Sequence, residues 1–195
     1  YDKILYEDAT FTPMASLADD VLFMSFNGLS KTYRAAGFRS GWVVLSGAKH
    51  RAKDYIQGLD MLASMRLCSN VPSQYAIQTA LGGYQSIKEL TCEGGRLTRQ
   101  RDMAWRMLDA LPGVSCHKPE GALYLFPRLD PEIYHIENDE KFAFDLLSQQ
   151  KVLVVQGSGF NLPDSQHFRI VFLPYEEQLI EAVGRIATFL GTLRK

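Results

Sequence analysis

The sequence predicts an α/β protein, and three observations carry that expectation. Two short, nearly continuous apolar runs, residues 21–27 and 41–46, bracket a polar, glycine-containing segment. Helical periodicity then takes over, with apolar residues recurring at spacings of three and four. Beyond Leu111-Pro112-Gly113 the texture changes again, to short strand-like runs set between two more helices.

The chain opens at Tyr1, without a methionine, in the β-rich run Tyr1-Asp2-Lys3-Ile4-Leu5-Tyr6. This reads as a strand entered midway, and so as the later part of a longer protein. The runs at 21–27 and 41–46 read as strands buried on both faces, because neither alternates with polar residues. Residues 28–40 between them are too irregular for a regular element, and ligands favour crevices where strands end.

A helix is expected over 49–66, where Ala52, Tyr55, Ile56, Leu59, Leu62 and Ala63 share one face. Asn70-Val71-Pro72-Ser73 interrupts it, with Pro72 suited to a first turn. A second helix is expected over 73–86. A third, near 95–111, carries Leu97, Met103, Ala104, Met107 and Leu108 and stops at Leu111-Pro112-Gly113. Strands are then expected at 114–117, 122–126, 152–155 and 168–172, and helices at 139–150 and 175–192. Together these form a compact α+β unit of about 100 residues.

Composition narrows the function. With 46% hydrophobic and 22% charged residues the chain is globular, and a net charge of -1 argues for neither nucleic acid nor an anionic membrane as partner. No apolar run approaches the roughly 20 residues of a membrane helix, and no signal-peptide pattern is present. Cys68, Cys92 and Cys116 are odd in number and widely spaced, so they read as buried thiols in a reducing cytoplasm. His50, His117, His135 and His167 lack ligand spacing, and no metal site is assigned.

The segment with chemical content is Asn27-Gly28-Leu29-Ser30-Lys31-Thr32-Tyr33-Arg34-Ala35-Ala36-Gly37-Phe38-Arg39-Ser40-Gly41-Trp42. A lysine follows a strand, hydroxyl residues flank it, and an arginine comes eight residues later. A lysine nucleophile must lose its proton, which a partly desolvated pocket and a nearby cation favour. Arg39 would supply that cation and a planar fork suited to phosphate. Gly37 and Gly41 would let the backbone approach a ligand. The residues alone favour a surface turn with two solvated cations.

Ser30-Lys31 followed by Gly37-Phe38-Arg39-Ser40-Gly41-Trp42 resembles the class I/II aminotransferase signature S-K-x-x-x-x-x-G-x-R-x-G-W/Y. The resemblance implies pyridoxal 5′-phosphate as cofactor, held by Lys31 as an imine. The same lysine would shuttle a proton between substrate Cα and the cofactor, and Arg39 would grip the phosphate. Many relatives carry a hydroxyl where this chain has Gly28. Either Ser30 or backbone N–H groups replace it, or one phosphate contact is lost. Tyr1 matches the tyrosine that hydrogen-bonds the cofactor's phenolic oxygen. The aspartate on the ring nitrogen, the ring asparagine and a further phosphate turn would all lie upstream of Tyr1, so the chain alone is expected to be inactive.

Further motifs extend the resemblance. Ser69-Asn70-Val71-Pro72 is similar to an S-N-x-P turn, Pro119-Glu120-Gly121-Ala122-Leu123-Tyr124-Leu125-Phe126 to the strand opening the small domain, and Gly157-Ser158-Gly159-Phe160 to a P-G-x-x-F loop. His167-Phe168-Arg169-Ile170-Val171-Phe172 resembles the strand whose arginine binds the substrate α-carboxylate, which implies that role for Arg169. An arginine in an apolar strand needs an anion to answer it, and a carboxylate does so with two bonds. From the residues alone, Arg169 is also readable as an edge-strand cation or half of an internal ion pair.

The resemblance implies fold type I: residues 1–90 as the C-terminal part of the large PLP-binding domain, 91–111 as an interdomain helix and 112–195 as the small domain. The runs at 26–34 and 62–68 are similar to those of bacterial alanine (glutamate–pyruvate) aminotransferases. This implies a cytoplasmic homodimer exchanging an amino group between L-amino acids and 2-oxo acids. Two other readings use the same residues: a different PLP reaction on this fold, such as a β-lyase, or a PLP-sensing domain of a transcription regulator.

Overall fold

A computed structural model describes residues 1–164 and 166–194. The chain divides into two compact units, Tyr1–Lys88 and the part from Glu89 onward.

The first unit is built on an antiparallel pair, β1 (Leu22–Gly28) and β2 (Gly41–Gly47), in register from Leu22 opposite Gly47 to Gly28 opposite Gly41. Both strands lie where the apolar runs place them. Within this chain neither is covered on both faces: neither contains a buried residue, and Phe26 is 74% exposed. Among the described residues β1 and β2 pair only with each other, so the ribbon keeps two open edges. Apolar composition states what a strand is suited to meet, whereas burial needs a layer that covers it.

Residues 1–6 also depart from expectation. They form turns around a bridge at Leu5 rather than a strand. The Ile4 N–H closes a turn onto the Tyr1 carbonyl at 2.9 Å, while Ile4 and Tyr6 are buried. The β-rich alternation here fills a core without building a ladder.

Helix α1 (Lys53–Arg66) follows a 3-10 turn at Lys49–Arg51. Helix α2 (Val71–Gly82) has Pro72 in its first turn. It starts and stops earlier than the expected 73–86. The Gly83 N–H closes onto the Thr79 carbonyl at 2.8 Å, and a Cβ on Gly83 would lie 2.4 Å from that oxygen, so the turn needs a glycine. The apolar periodicity of these helices buys little internal packing: α1 buries no residue and α2 only Ser73.

Helix α3 (Ile87–Thr91) carries the chain into the second unit. Helix α4 (Arg96–Asp109) lies in that unit and packs on α6 (Glu176–Leu193), as does α5 (Asp139–Gln150). All three follow the periodic stretches read from the sequence. β3 (Val114–Ser115) pairs with β5 (Arg128–Leu129). β7 (Phe168–Val171) is the central strand of an antiparallel sheet, between β4 (Tyr124–Leu125) and β6 (Val155–Gln156). Leu97, Leu108, Leu125, Phe168, Phe172 and Leu190 fill the core.

The strands are shorter than the apolar runs suggest, for local reasons. The Cys116 N–H bonds to the Asp109 carboxylate at 2.9 Å instead of continuing β3. Ala122 has φ 61° just before β4, and Lys151 has φ 59° where 152–155 was expected to begin extended. Of the three cysteines expected to be buried, only Cys116 is. Cys68, just past α1, and Cys92, just past α3, are exposed because each lies where its helix ends at the surface. No helix among the described residues is long and apolar enough to cross a membrane.

Candidate active site

The loop from β1 to β2 carries Ser30, Lys31 and Arg39. Its base is closed by backbone contact: a Cβ on Gly28 would meet the Ser40 carbonyl oxygen at 3.1 Å, and the Leu29 N–H donates to that oxygen at 3.0 Å. The Ala35 N–H returns to the Leu29 carbonyl at 2.9 Å, and the Arg34 N–H to that of Lys31 at 3.0 Å. Buried Leu29 and Thr32 anchor the loop on either side of Lys31. The Lys31 side chain is exposed, and its amine has no hydrogen bond or ion pair among the described residues.

Arg39 caps a 3-10 turn, Ala36–Phe38, in the left-handed region at φ 51°. Its guanidinium donates to the Ala36 carbonyl at 2.6 Å and is otherwise exposed. The Asn70 amide, at the N-cap of α2, steadies the turn by donating to the Phe38 carbonyl at 3.1 Å. This gives the S-N-x-P motif a local purpose.

The position expected to carry a hydroxyl is Gly28. Its N–H is already used, donating to the Asn27 side-chain oxygen at 2.7 Å. The Ser30 hydroxyl, by contrast, has no partner among the described residues.

Tyr1 stands on a segment fastened to the lysine loop. Thr32 donates its hydroxyl hydrogen to Asp2 at 3.2 Å, and the Lys3 amine donates to the Tyr33 hydroxyl at 3.1 Å and to Gln85 at 2.8 Å. Lys3 is therefore engaged internally, whereas Lys31 has no such bond among the described residues.

In the second unit Arg169 lies on β7, paired with Val155 of β6. Its guanidinium carbon lies over two rings, 4.5 Å from the centroid of Tyr124 and 4.6 Å from that of Phe160. No hydrogen bond or ion pair of the side chain is present among the described residues. β7 is central, so an edge-strand cation is excluded, and so is an internal ion pair within the described chain. What remains is a planar cation held by aromatic faces, with its N–H edges unspent. Neither Tyr124 nor Phe160 was singled out from the sequence, although both lie in recognised motifs. Their signal was present, but only pairing of distant segments brings them to Arg169.

A cavity of about 410 Å³ in the first unit lies against the same loop, between Leu29, Thr32 and Phe38 on one side and Ala76, Thr79 and Tyr84 on the other. Neither Lys31 nor Arg39 lines it.

The donor set fits pyridoxal phosphate. An exposed amine with no hydrogen bond or ion pair among the described residues suits an aldehyde, and an exposed guanidinium and a hydroxyl with no partner among them, on the same loop, suit a phosphate.

The chain matches a family described as aminotransferase class I and II over residues 1–186. It is 57% identical over 195 residues to the glutamate-pyruvate aminotransferase AlaA of Haemophilus influenzae, covering all of this chain and 48% of that protein. To an alanine aminotransferase of Mycobacterium bovis it is 55% identical over 195 residues, covering all of this chain and 46% of the relative. A solved aminotransferase from Escherichia coli superposes with a TM-score of 0.97 at 56% identity, over all of this chain and 48% of that one. The chain thus spans about half the length of the curated relatives it matches.

Proposed function

The chain belongs to the aminotransferase class I and II family, of fold type I and dependent on pyridoxal 5′-phosphate, and from that premise we propose that the whole protein transfers an amino group between alanine or glutamate and pyruvate or 2-oxoglutarate. The names of the relatives support this pair.

In this reading Lys31 holds the cofactor through Nζ, and the same nitrogen carries the proton removed at the substrate Cα. When bound, the cofactor supplies the electron sink for the charge left at that carbon. Arg39 grips the phosphate with charge-assisted bonds, Ser30 adds a hydroxyl donor, and the Tyr1 hydroxyl donates to the phenolic oxygen. Arg169 takes the α-carboxylate. Both half-reactions present that group, so one guanidinium serves the amino acid and the oxo acid alike. Residues 1–90 act as the end of the cofactor domain, 91–111 as the interdomain helix and 112–195 as the small domain, in a cytoplasmic homodimer.

The single observation that carries the reading is Arg169, a guanidinium on a central strand that lies over two rings and has no hydrogen bond or ion pair among the described residues. The test is pyruvate formation from alanine and 2-oxoglutarate by the whole protein and its Lys31→Ala variant. Robust turnover lost in Lys31→Ala is expected. No turnover by the unaltered protein overturns the substrate pair, and full turnover by Lys31→Ala overturns the lysine.

A further inference from the structure

Asp139 is a buried carboxylate that the reaction does not use. It is the first residue of α5 and only 5% exposed. It makes no ion pair among the described residues. Instead Ser158 satisfies both of its oxygens: the Ser158 N–H donates to Oδ2 at 2.8 Å and the Ser158 hydroxyl to Oδ1 at 2.7 Å. The N-terminal end of α5 offsets the negative charge. A buried charge is costly, and apolar contacts alone would dock a helix on a loop. The carboxylate adds direction, because it fixes the backbone and the side chain of one residue together.

That residue lies in the 3-10 turn Gly157–Phe160. The same N-terminal end of the turn is held by the Gly157 N–H, which donates to the His167 carbonyl at 2.9 Å, and the turn is closed past Phe160 by the Asn161 N–H, which donates to the Ser158 carbonyl at 3.0 Å. Two residues beyond Ser158 stands Phe160, 44% exposed, in a T-shaped contact with Phe126 and with its ring under Arg169. Phe160 is thus one wall of the aromatic clamp, and the turn determines where that wall stands.

We propose that Asp139 is a positioning residue for substrate recognition: through Ser158 it sets Phe160 against Arg169 and so fixes the plane in which the guanidinium meets a carboxylate. The inference rests on the reading that Arg169 binds the substrate α-carboxylate. A guanidinium released on one face must be ordered when substrate arrives, and that cost falls on binding rather than on the chemical step.

The experiment uses the whole holoenzyme with Asp139→Asn, Ser158→Ala and Phe160→Leu, alone and with Asp139→Asn combined with Phe160→Leu. Each single change should raise KM for amino acid and oxo acid together by roughly threefold to tenfold, the size expected for ordering one side chain. The kcat and the cofactor dissociation constant should stay within about twofold, since neither step touches this turn. The double variant should be no worse than Phe160→Leu, because the two act through one contact. A lowered Tm with unchanged KM would make Asp139 merely structural and overturn the proposal, as would additive effects in the double variant. If Asp139→Asn fails to fold, Ser158→Ala decides, since it removes one bond and leaves the other. Arg169→Lys separates the two claims. If it leaves both KM values unchanged, the reading of Arg169 fails. If it raises both while the Asp139, Ser158 and Phe160 variants do not, the positioning role alone fails.

Discussion

Gly28 and Gly41 face each other across β1 and β2, and a Cβ on Gly41 would come within 2.8 Å of the Asn27 carbonyl oxygen. The sequence suggested that Gly41 makes room for a ligand. It makes room for the neighbouring strand, at the point where the Lys31 loop closes.

Gly41→Ala should therefore destabilise the protein by about 1–3 kcal/mol, the usual cost of overpacking, because a backbone oxygen has nowhere to move. Gly37→Ala, whose Cβ would meet nothing within 4 Å, should change stability by less than about 1 kcal/mol. Thermal melts of the two variants check this, and equal melting temperatures would refute it.

Arg39→Ala removes a charge-assisted contact to the phosphate, worth about 1.5–3 kcal/mol. The cofactor dissociation constant should rise roughly tenfold to a hundredfold. Equilibrium titration of the apo protein with pyridoxal phosphate measures it, and an unchanged constant would remove Arg39 from the phosphate site.

Cys116 gives a pH dependence. Burial, with a smaller contribution from the Asp109 carboxylate, pushes its thiol up to about 11 against the opposing hydrogen bond from Phe126. The folded state therefore holds the proton more tightly than the unfolded chain. That stabilisation is complete below the ordinary thiol value of 9.0 and is lost as pH rises toward about 11. Denaturant midpoints should fall across that window and fall less in Cys116→Ala. At pH 8 Cys116 should also resist alkylation in the folded protein while the unfolded chain reacts.

The 195-residue chain by itself should not transaminate, and it should self-associate. Phe26, Leu62, Met65, Leu67, Tyr75 and Tyr84 are exposed, and helices that bury almost nothing gain little from packing. Size-exclusion chromatography with light scattering, run beside the pyruvate assay, tests both points. A monodisperse chain active at the whole protein's rate would contradict them.

Local order is legible wherever one period or one special residue dominates. The helices at Arg96–Asp109, Asp139–Gln150 and Glu176–Leu193 follow their apolar periodicity. The early stop of α2 at Gly82 is less legible, since it depends on how closely Gly83 approaches the Thr79 carbonyl. The run at residues 1–6 misleads for a related reason. Alternating apolar residues suit a strand and a buried turn equally, and only a partner strand makes the difference.

By itself the sequence determines the chemistry on offer. The spacing from Ser30 through Arg39 to Gly41 places an amine and a guanidinium on one loop, and it identifies Arg169 as a cation in an apolar strand. Only the tertiary structure decides how those groups are held. It gives Lys31 no partner among the described residues while engaging Lys3, sets Arg169 over Tyr124 and Phe160, and ties Asp139 to Ser158. The physical reason is reach. Spacing along the chain governs neighbours within a few residues, whereas a clamp assembled from residues 124, 160 and 169 exists only once separate strands and a turn have packed together.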